Sequence, residues 1–317
     1  MAIDPDVLNS CVMLRRELLA DGVTDNEIRT RVRRGQLTRI RHGSYVSRPL
    51  WDALTAEDRH RVLVRAVLKR AHPSTVATHV SSAVEHGGTV WGIALDVVHV
   101  NRTDGRPGRN EAGIVHHSAV LPEDDVEVLN GVRVSRAPRC AVEVTTRCDV
   151  ERALVTVNSL LHAGRMTHEQ FRSAVEGMRY WPDSLSTTLV ERLCDDRLTS
   201  VAESRTWFMC WAQHLPRPRP QAPIHDERGW VVAYCDFAWE AEGVFLEFDG
   251  RIKYERYRRE GESLEDYVMR EKRREELICL LTGWTCIRIQ WEDLAFPERT
   301  AARIRRILDA RRRPQPA

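Results

Sequence analysis

The chain has 317 residues, two to three times a typical domain length, so several domains are expected. Its charges nearly cancel at a formal net charge of +2, which excludes any argument from global charge for a polyanionic partner. The eight cysteines include no CxxC pair, which argues against a zinc site built on cysteines. The first residues lack the features of a secretory signal, and no apolar run approaches about 18 residues. The sequence therefore predicts a cytoplasmic protein with reduced thiols and no membrane partner.

The first segment, residues 1–50, has the element order of a winged helix-turn-helix. Thr24 and Glu27 have the spacing of a capping box, which marks the start of a helix, and Gly35 marks its end. A short helix precedes this one, and a β-hairpin follows it. The predicted elements are a helix over residues 12–20, the capped helix, and strands over residues 37–41 and 44–46.

Seven arginines and no acidic residue lie between Ile28 and Arg48. DNA affinity depends on the neutralisation of phosphates, which such a local field supplies even when the net charge is near zero. In a winged helix-turn-helix the second helix enters the major groove and the wing touches the flanking backbone. The alternative is a solvated, arginine-rich helix in a small packing domain. The predicted DNA contacts are Arg29, Arg33 and Arg34 on the helix and Arg39 and Arg41 on the wing.

This segment resembles the winged-helix start of AbiEi-type antitoxins. The likeness departs from the usual pattern at Asp25, where a basic residue is common. The resemblance implies DNA as a partner and a cognate toxin as a protein partner, and self-association into a homodimer is an open alternative. The matching positions are Gly22, Ile28, Val32, Gly35, Leu37, Arg39, Gly43 and Tyr45.

The middle segment, residues 51–198, predicts an α+β domain with no obvious chemistry. Thr78-His79-Val80-Ser81-Ser82-Ala83 and Trp91-Gly92 resemble the central part of actinobacterial proteins with this architecture. His79, His116 and His117 are candidate metal ligands, but such histidines are more often hydrogen-bonded in the core or exposed at the surface. The predicted elements are helices over 56–71, 141–146, 150–162 and 167–178, and strands over 94–101, 113–118 and 131–135.

The third segment, residues 199–317, predicts the element order αβββαβ. Residues 216–220 alternate proline with arginine and are predicted to form a stiff loop. The predicted elements are helices over 202–214, 264–281 and 299–311, and strands over 222–225, 231–239, 244–248 and 285–290. The whole chain is therefore predicted to be a multidomain α+β protein.

Two carboxylates interrupt otherwise apolar strands in this segment. A charged group in such a strand is costly unless it is paired or bound to a metal, although single acids on exposed strand faces are common. A hairpin joining the strands would place Asp236 beside Glu247, and hard oxygen ligands of this kind bind Mg²⁺ or Mn²⁺. The sequence therefore predicts a divalent-metal site on Asp236 and Glu247.

The same residues resemble the Vsr-like branch of the PD-(D/E)xK nucleases over about residues 199–295. The motifs are Glu203-Ser204, Asp236, Glu247-Phe248-Asp249-Gly250 and Gly283-Trp284 before a strand. The resemblance implies a restriction-endonuclease-like fold and Mg²⁺-dependent DNA cleavage in defence or repair. It assigns Asp236 and Glu247 as metal ligands, with Glu203 as an additional ligand or an orienting group. The alternative for Glu203 is an exposed helix acid that pairs with Arg205 or another cation.

This chain departs from the nuclease pattern at Asp249, where a lysine is usual. Lys253 is the nearest lysine, and it would either stabilise charge on the phosphate or be a surface residue. Gln290 is a weaker candidate for contact with the site. Two hypotheses follow: a metal-dependent DNA endonuclease, and an antitoxin-like transcriptional repressor whose nuclease-type domain is catalytically inactive.

Overall fold

The computed structural model describes residues 3–106, 112–249 and 263–312, and the protein is a mixed α+β protein with several sheets. The chain forms two compact units, Met1–Cys194 (unit 1) and Asp195–Ala317 (unit 2). Lys253 and Gly250 lie outside the described residues. Within the described ranges, no helix has the length and apolar character needed to cross a bilayer.

The first elements of unit 1 form a three-stranded sheet with helices beside it. The sheet has the order β1-β3-β2, and both strand pairs are antiparallel. The predicted helix over residues 12–20 is wrong at its start, because Met13 and Leu14 pair with Tyr45 and Ser44 of the hairpin before the helix begins. The elements are α1 (Pro5–Ser10), β1 (Met13–Leu14), α2 (Arg15–Ala20), α3 (Asp25–Arg33), β2 (Leu37–Arg41) and β3 (Ser44–Ser47).

The predicted capping box at the start of α3 is confirmed. The Thr24 hydroxyl accepts a hydrogen bond from the Glu27 N–H, and the Glu27 carboxylate accepts one from the Thr24 N–H at 2.9 Å. Gly35 follows the helix with φ +68°, a left-handed conformation that glycine adopts without strain. These local signals fix the direction of α3 relative to the hairpin that follows it.

The core beneath these elements extends into the middle segment. Leu8, Leu14 and Val46 pack in one cluster with Val62 and Ala66 of the next long helix, and all five are buried. The predicted division of the chain at residue 50 stays a prediction, but the hydrophobic contacts cross that point.

The middle segment contains a five-stranded mixed sheet in the order β6-β5-β4-β8-β7. Helices pack against it, and α6 and β4 were not predicted from the sequence. The elements are α4 (Arg48–Ala53), α5 (Ala56–Leu68), β4 (Thr75–Ala77), α6 (His79–Glu85), β5 (Val98–Arg102), β6 (Ile114–His116), β7 (Val126–Leu129), β8 (Val132–Ser135), α7 (Ala137–Thr145), α8 (Val150–His162), α9 (His168–Gly177) and α10 (Leu185–Leu193).

Unit 2 contains a four-stranded sheet in the order β12-β11-β10-β9. Strands β9, β10 and β11 are antiparallel neighbours, and β12 pairs parallel with β11. The elements are α11 (Val201–Ala212), β9 (Arg219–His225), β10 (Val231–Trp239), β11 (Val244–Phe248), α12 (Leu264–Thr282), β12 (Thr285–Ile289), α13 (Trp291–Ala295) and α14 (Pro297–Arg312).

The stiff loop predicted over residues 216–220 is wrong at its end. Arg219 and Pro220 belong to β9, where Pro220 is the partner of Phe237. Proline lacks an N–H and is tolerated at the edge of a sheet, and β9 is an edge strand here.

Candidate nucleic-acid interface and carboxylate pair

The arginines of α3 point away from the core. Ile28 is the buried residue of this helix, at 2% exposure, whereas Arg29, Arg33 and Arg34 are exposed. Arg29 donates to the Asp25 carbonyl at 3.3 Å, and Arg33 donates to the Thr30 hydroxyl at 3.4 Å. Neither guanidinium forms an ion pair with an acidic side chain among the described residues, although Arg29 also interacts electrostatically with the Asp25 carboxylate.

Asp25, which departs from the antitoxin-like pattern, is neutralised within the protein. Its carboxylate accepts hydrogen bonds from Arg15 at 2.7 and 2.5 Å. These hydrogen bonds lower the pKa of Asp25, so the carboxylate stays ionised and paired. The acidic residue therefore subtracts little from the positive field of the exposed α3 arginines.

The two predicted wing arginines differ in their surroundings. Arg39 is exposed on β2. Arg41 donates hydrogen bonds to the carbonyls of Gly113 at 3.1 Å and Ala112 at 2.9 Å. A Cβ atom on Gly113 would lie 3.0 Å from the Arg41 Nη1, so a glycine leaves room for this contact. Arg41 therefore connects β2 to the residues just before β6, and its predicted role in DNA contact stays a prediction.

The two predicted metal-site carboxylates lie opposite each other in unit 2. The register of β10 and β11 pairs Phe237 with Leu246, which places Asp236 opposite Glu247 one step along the ladder. Opposed residues of an antiparallel pair have Cβ atoms about 5 Å apart. Asp236 is 8% exposed and Glu247 is 5% exposed. The Asp236 Oδ2 accepts a hydrogen bond from the Phe248 N–H at 2.8 Å.

Arg274 of α12 is a site residue that the sequence predicted only as part of a solvated face, residues 270–274, with contact to the nucleic-acid backbone as the alternative. It donates to both Glu247 carboxylate oxygens, at 3.2 and 2.9 Å, and to the Tyr234 carbonyl at 2.7 Å. Burial acts against the charge of Arg274, but the Glu247 carboxylate outweighs it and raises the arginine pKa. Helical spacing could have indicated this position, because Arg274 lies four residues before the fully buried Ile278 and therefore on the same face of α12.

Glu203 occupies the third helical position of α11 and caps the start of that helix. Its carboxylate accepts hydrogen bonds from the Thr199 N–H at 2.9 Å, the Ser200 hydroxyl at 2.8 Å and the Gln221 amide at 3.2 Å. The Glu203 N–H in turn donates to the Ser200 hydroxyl at 3.2 Å. These contacts account for a glutamate that is 3% exposed, and its predicted metal role stays a prediction.

The remaining predicted site residues have separate surroundings. Asp249 lies 3.7 Å from the Arg288 guanidinium, and the exposed Gln290 is the N-cap residue of α13. Among the described residues, the group of three that could hold a metal comprises His79, His99 and His117, and it includes none of the predicted carboxylates. The Mg²⁺ or Mn²⁺ prediction for unit 2 therefore stays a prediction.

Residues 76–186 are similar to the AbiEi antitoxin C-terminal domain. The match covers about a third of the chain, lies within unit 1 and does not extend into unit 2. None of the curated proteins compared with the chain matches it significantly. The antitoxin part of the predicted resemblance is supported by this match, whereas the nuclease part receives no support from it.

Proposed function

We propose that the protein is an antitoxin-like DNA-binding protein that uses α3 and the β2–β3 hairpin to contact DNA. The observation that carries this proposal is the set of exposed arginines Arg29, Arg33, Arg34 and Arg39, which form no ion pair with an acidic side chain among the described residues. The antitoxin match at residues 76–186 supports the same function from a different part of the chain.

The element order around α3 suits this role. Helix α2 is followed by a tight turn, then α3, then a two-stranded hairpin, which is the arrangement of a winged helix-turn-helix. Helix α3 would enter the major groove, and the turn between β2 and β3 would reach the flanking phosphates. Arg29, Arg33 and Arg34 would contact the DNA from the helix, and Arg39 would contact it from the wing.

The proposed DNA target is tested by footprinting on the region upstream of the protein's own gene. A repressor of the antitoxin type is expected to protect a discrete site there, and a homodimer would protect two half-sites one helical turn apart. Uniform weak binding to all DNA, with no protected site at any salt concentration, would contradict the repressor proposal. Light scattering of the protein in solution gives its oligomeric state.

The antitoxin match also makes a cognate toxin the proposed protein partner. Co-expression with each neighbouring reading frame, followed by affinity purification, is expected to recover a stoichiometric complex. A neighbouring product that is toxic alone and harmless in co-expression would identify this toxin. If every neighbour purifies without the protein and none is toxic, the toxin-partner proposal fails while the DNA-binding proposal stands.

A second candidate function is a metal-dependent endonuclease in unit 2. Its supporting observation is the buried pair Asp236 and Glu247 on adjacent strands, next to the cationic Arg274. For metal to bind, Glu247 would have to exchange part of its contact with Arg274 for the ion. Mg²⁺- or Mn²⁺-dependent nicking of plasmid DNA, lost in Asp236→Ala and Glu247→Ala, would support this function. Absence of cleavage with either ion would leave the repressor as the remaining proposal.

A further inference from the structure

Three histidines meet at one end of the five-stranded sheet of unit 1. His99 belongs to β5, and its carbonyl accepts a hydrogen bond at 3.0 Å from the N–H of Thr78, which directly follows β4. His117 follows β6, and its N–H donates to the Val100 carbonyl at 2.8 Å. His79 begins α6 immediately after Thr78. Backbone pairing of three neighbouring strands therefore brings together side chains that are distant in the sequence.

The three imidazoles lie in direct contact. The Nδ1 of His99 and the Nε2 of His117 are 3.0 Å apart, and the His79 and His117 rings stack with centroids 3.5 Å apart. Each histidine offers one ring nitrogen, and these nitrogens lie within 4.8 Å of one another. Tetrahedral zinc with bonds of about 2.0–2.1 Å holds its nitrogen ligands about 3.3 Å apart. For one ion to be held by all three rings, the nitrogens would have to close from at most 4.8 Å to about 3.3 Å, with the stacked His79 and His117 rings reorienting toward the ion.

Burial and nearby positive charges lower the pKa of all three imidazoles. Burial lowers the pKa of His99 to about 4 and that of His117 to about 3, with further lowering by Arg147 and neighbouring histidines. Burial also places the pKa of His79 well below its usual value, and Arg139 and Arg147 act in the same direction.

A carboxylate next to the cluster fixes the backbone of His79. Glu143 accepts a hydrogen bond from the His79 N–H at 3.0 Å and lies 3.8 Å from the His79 Nδ1. Glu143 also pairs with Arg139 at 2.9 Å, so its position does not depend on the histidine alone. His79 has φ +52°, a left-handed conformation that is uncommon for a residue other than glycine. The Glu143 carboxylate therefore contacts the backbone at a residue of unusual conformation, whose ring is also in contact with the Thr78 hydroxyl at 3.0 Å.

The hydrogen bonds of the cluster leave capacity for a ligand. Three neutral imidazoles carry three N–H donors and three lone pairs. Within the described residues, their ring nitrogens make two hydrogen bonds. One joins His99 to His117, and the other joins the His79 Nδ1 to the Thr78 hydroxyl at 3.0 Å. His99 and His117 are only partly buried, so an ion can reach them from solvent.

We propose that His79, His99 and His117 form a binding site for a divalent transition metal, with Zn²⁺ the best match to three imidazole ligands. Three protein ligands leave one tetrahedral position for water or another donor. The site lies in the part of the chain that is similar to the antitoxin domain, and it is distinct from the carboxylate pair of unit 2. It does not depend on the proposed DNA-binding function.

The test is a Zn²⁺ titration of the full-length, metal-stripped protein, followed by calorimetry and by metal analysis after dialysis. One equivalent is expected to bind, and His99→Gln and His117→Gln are each expected to weaken binding by more than about 100-fold, since losses outside the first shell alone cost about 10–100-fold. His116→Gln is the matched control, because His116 adjoins His117 but is not one of the three proposed ligands. The control variant is expected to bind like the wild type.

X-ray absorption of the zinc-loaded wild-type protein identifies the ligands without any substitution. A first shell of about three imidazole nitrogens is expected, and Co²⁺ in place of zinc is expected to give the visible absorption of a tetrahedral site. A shell of carboxylate oxygens without imidazole nitrogens would overturn the proposal. Failure of the wild type to bind Zn²⁺, or undiminished binding in folded His99→Gln and His117→Gln, would also overturn it.

Discussion

The charges of α3 and those of the β10–β11 strands are organised in opposite ways. At the end of α3, Arg33 and the C-cap residue Arg34 are exposed and form no ion pair among the described residues. On the two strands, Asp236 and Glu247 are buried. The Phe248 N–H donates to the Asp236 carboxylate, and the Arg274 guanidinium donates to the Glu247 carboxylate. An exposed, uncompensated charge is available to a partner at once, whereas a buried and bonded charge must first give up its contacts. This difference favours DNA binding by unit 1 over metal catalysis by unit 2.

The largest expected effect tests whether the Glu247–Arg274 contact stabilises unit 2. Arg274→Met would leave the Glu247 carboxylate buried without its cation. We expect a loss of about 2 kcal/mol in the free energy of unfolding, below the about 3–5 kcal/mol of a fully buried pair, because 30% of the Arg274 side chain is exposed. Urea unfolding of the single variants and of the Glu247→Gln/Arg274→Met double variant measures the coupling. Fully additive effects would contradict the assigned contact.

A smaller effect tests whether Glu203 is a helix cap. Glu203→Ala removes the acceptor of the Thr199 N–H and the Ser200 hydroxyl, so we expect a loss of about 1–2 kcal/mol in the free energy of unfolding. Glu203→Gln keeps an acceptor oxygen and is expected to lose less. An alanine variant as stable as the wild type, or more stable, would contradict the capping role and would favour a role for the Glu203 carboxylate in ligand binding.

The pH dependence of stability tests the buried hydrogen bonds of His60 in unit 1. Its Nδ1 lies 2.7 Å from the Leu95 carbonyl and its Nε2 lies 2.9 Å from the Ser81 hydroxyl, and burial lowers its pKa. As the pH falls, His60 therefore takes up its proton in the unfolded chain before it does so in the folded protein. The contribution of His60 to the free energy of unfolding is present above about pH 6.5 and is lost as the pH falls toward the lower folded-state pKa. Each such histidine contributes a slope of about 1.4 kcal/mol per pH unit in that window.

The control for this slope is the His60→Gln variant. We expect urea unfolding of the variant to depend less steeply on pH between about 6.5 and the folded-state pKa, by about one proton per molecule. Identical slopes in the wild type and the variant would show that His60 takes up its proton equally in the folded and unfolded states. In that case burial does not hold the His60 ring neutral.

The smallest expected effect concerns Asp25. Because Arg15 neutralises the Asp25 carboxylate, Asp25→Asn should change DNA affinity less than the loss of an exposed arginine does. Removing the acid also frees Arg15, so we expect a slight gain in DNA affinity at low salt, measured by fluorescence anisotropy. A large gain would indicate that the carboxylate repels DNA despite its ion pair.

The sequence predicted those features that depend on local signals. The capping box at Thr24 and Glu27 is confirmed, and the apolar runs of β10 and β11 predicted strands that the structure contains. The two-residue strand β1 was missed because its conformation follows from pairing with β3, which lies about 30 residues further along the chain. A strand this short has no periodicity that a sequence pattern can reveal.

The candidate sites were predictable to different degrees for the same reason. The exposed arginines of α3 could be identified because they belong to one short segment. Arg274 was overlooked because it lies in a charged run, where only its spacing from Ile278 indicates an inward direction. His99 was overlooked as a partner of His79 and His117 because only the order of strands in the sheet brings them together.

The central claim, that the α3 arginines bind DNA, is tested most directly by the salt dependence of DNA affinity. Each phosphate contact contributes about −0.9 to the slope of log K against log salt. Arg33→Ala/Arg34→Ala is expected to lower affinity for all sequences and to make the slope shallower by about two contacts. The matched control is Arg299→Ala/Arg306→Ala, which removes the same charge from exposed positions of α14 and is expected to match the wild type. Unchanged slope and affinity in the α3 variant would contradict the account.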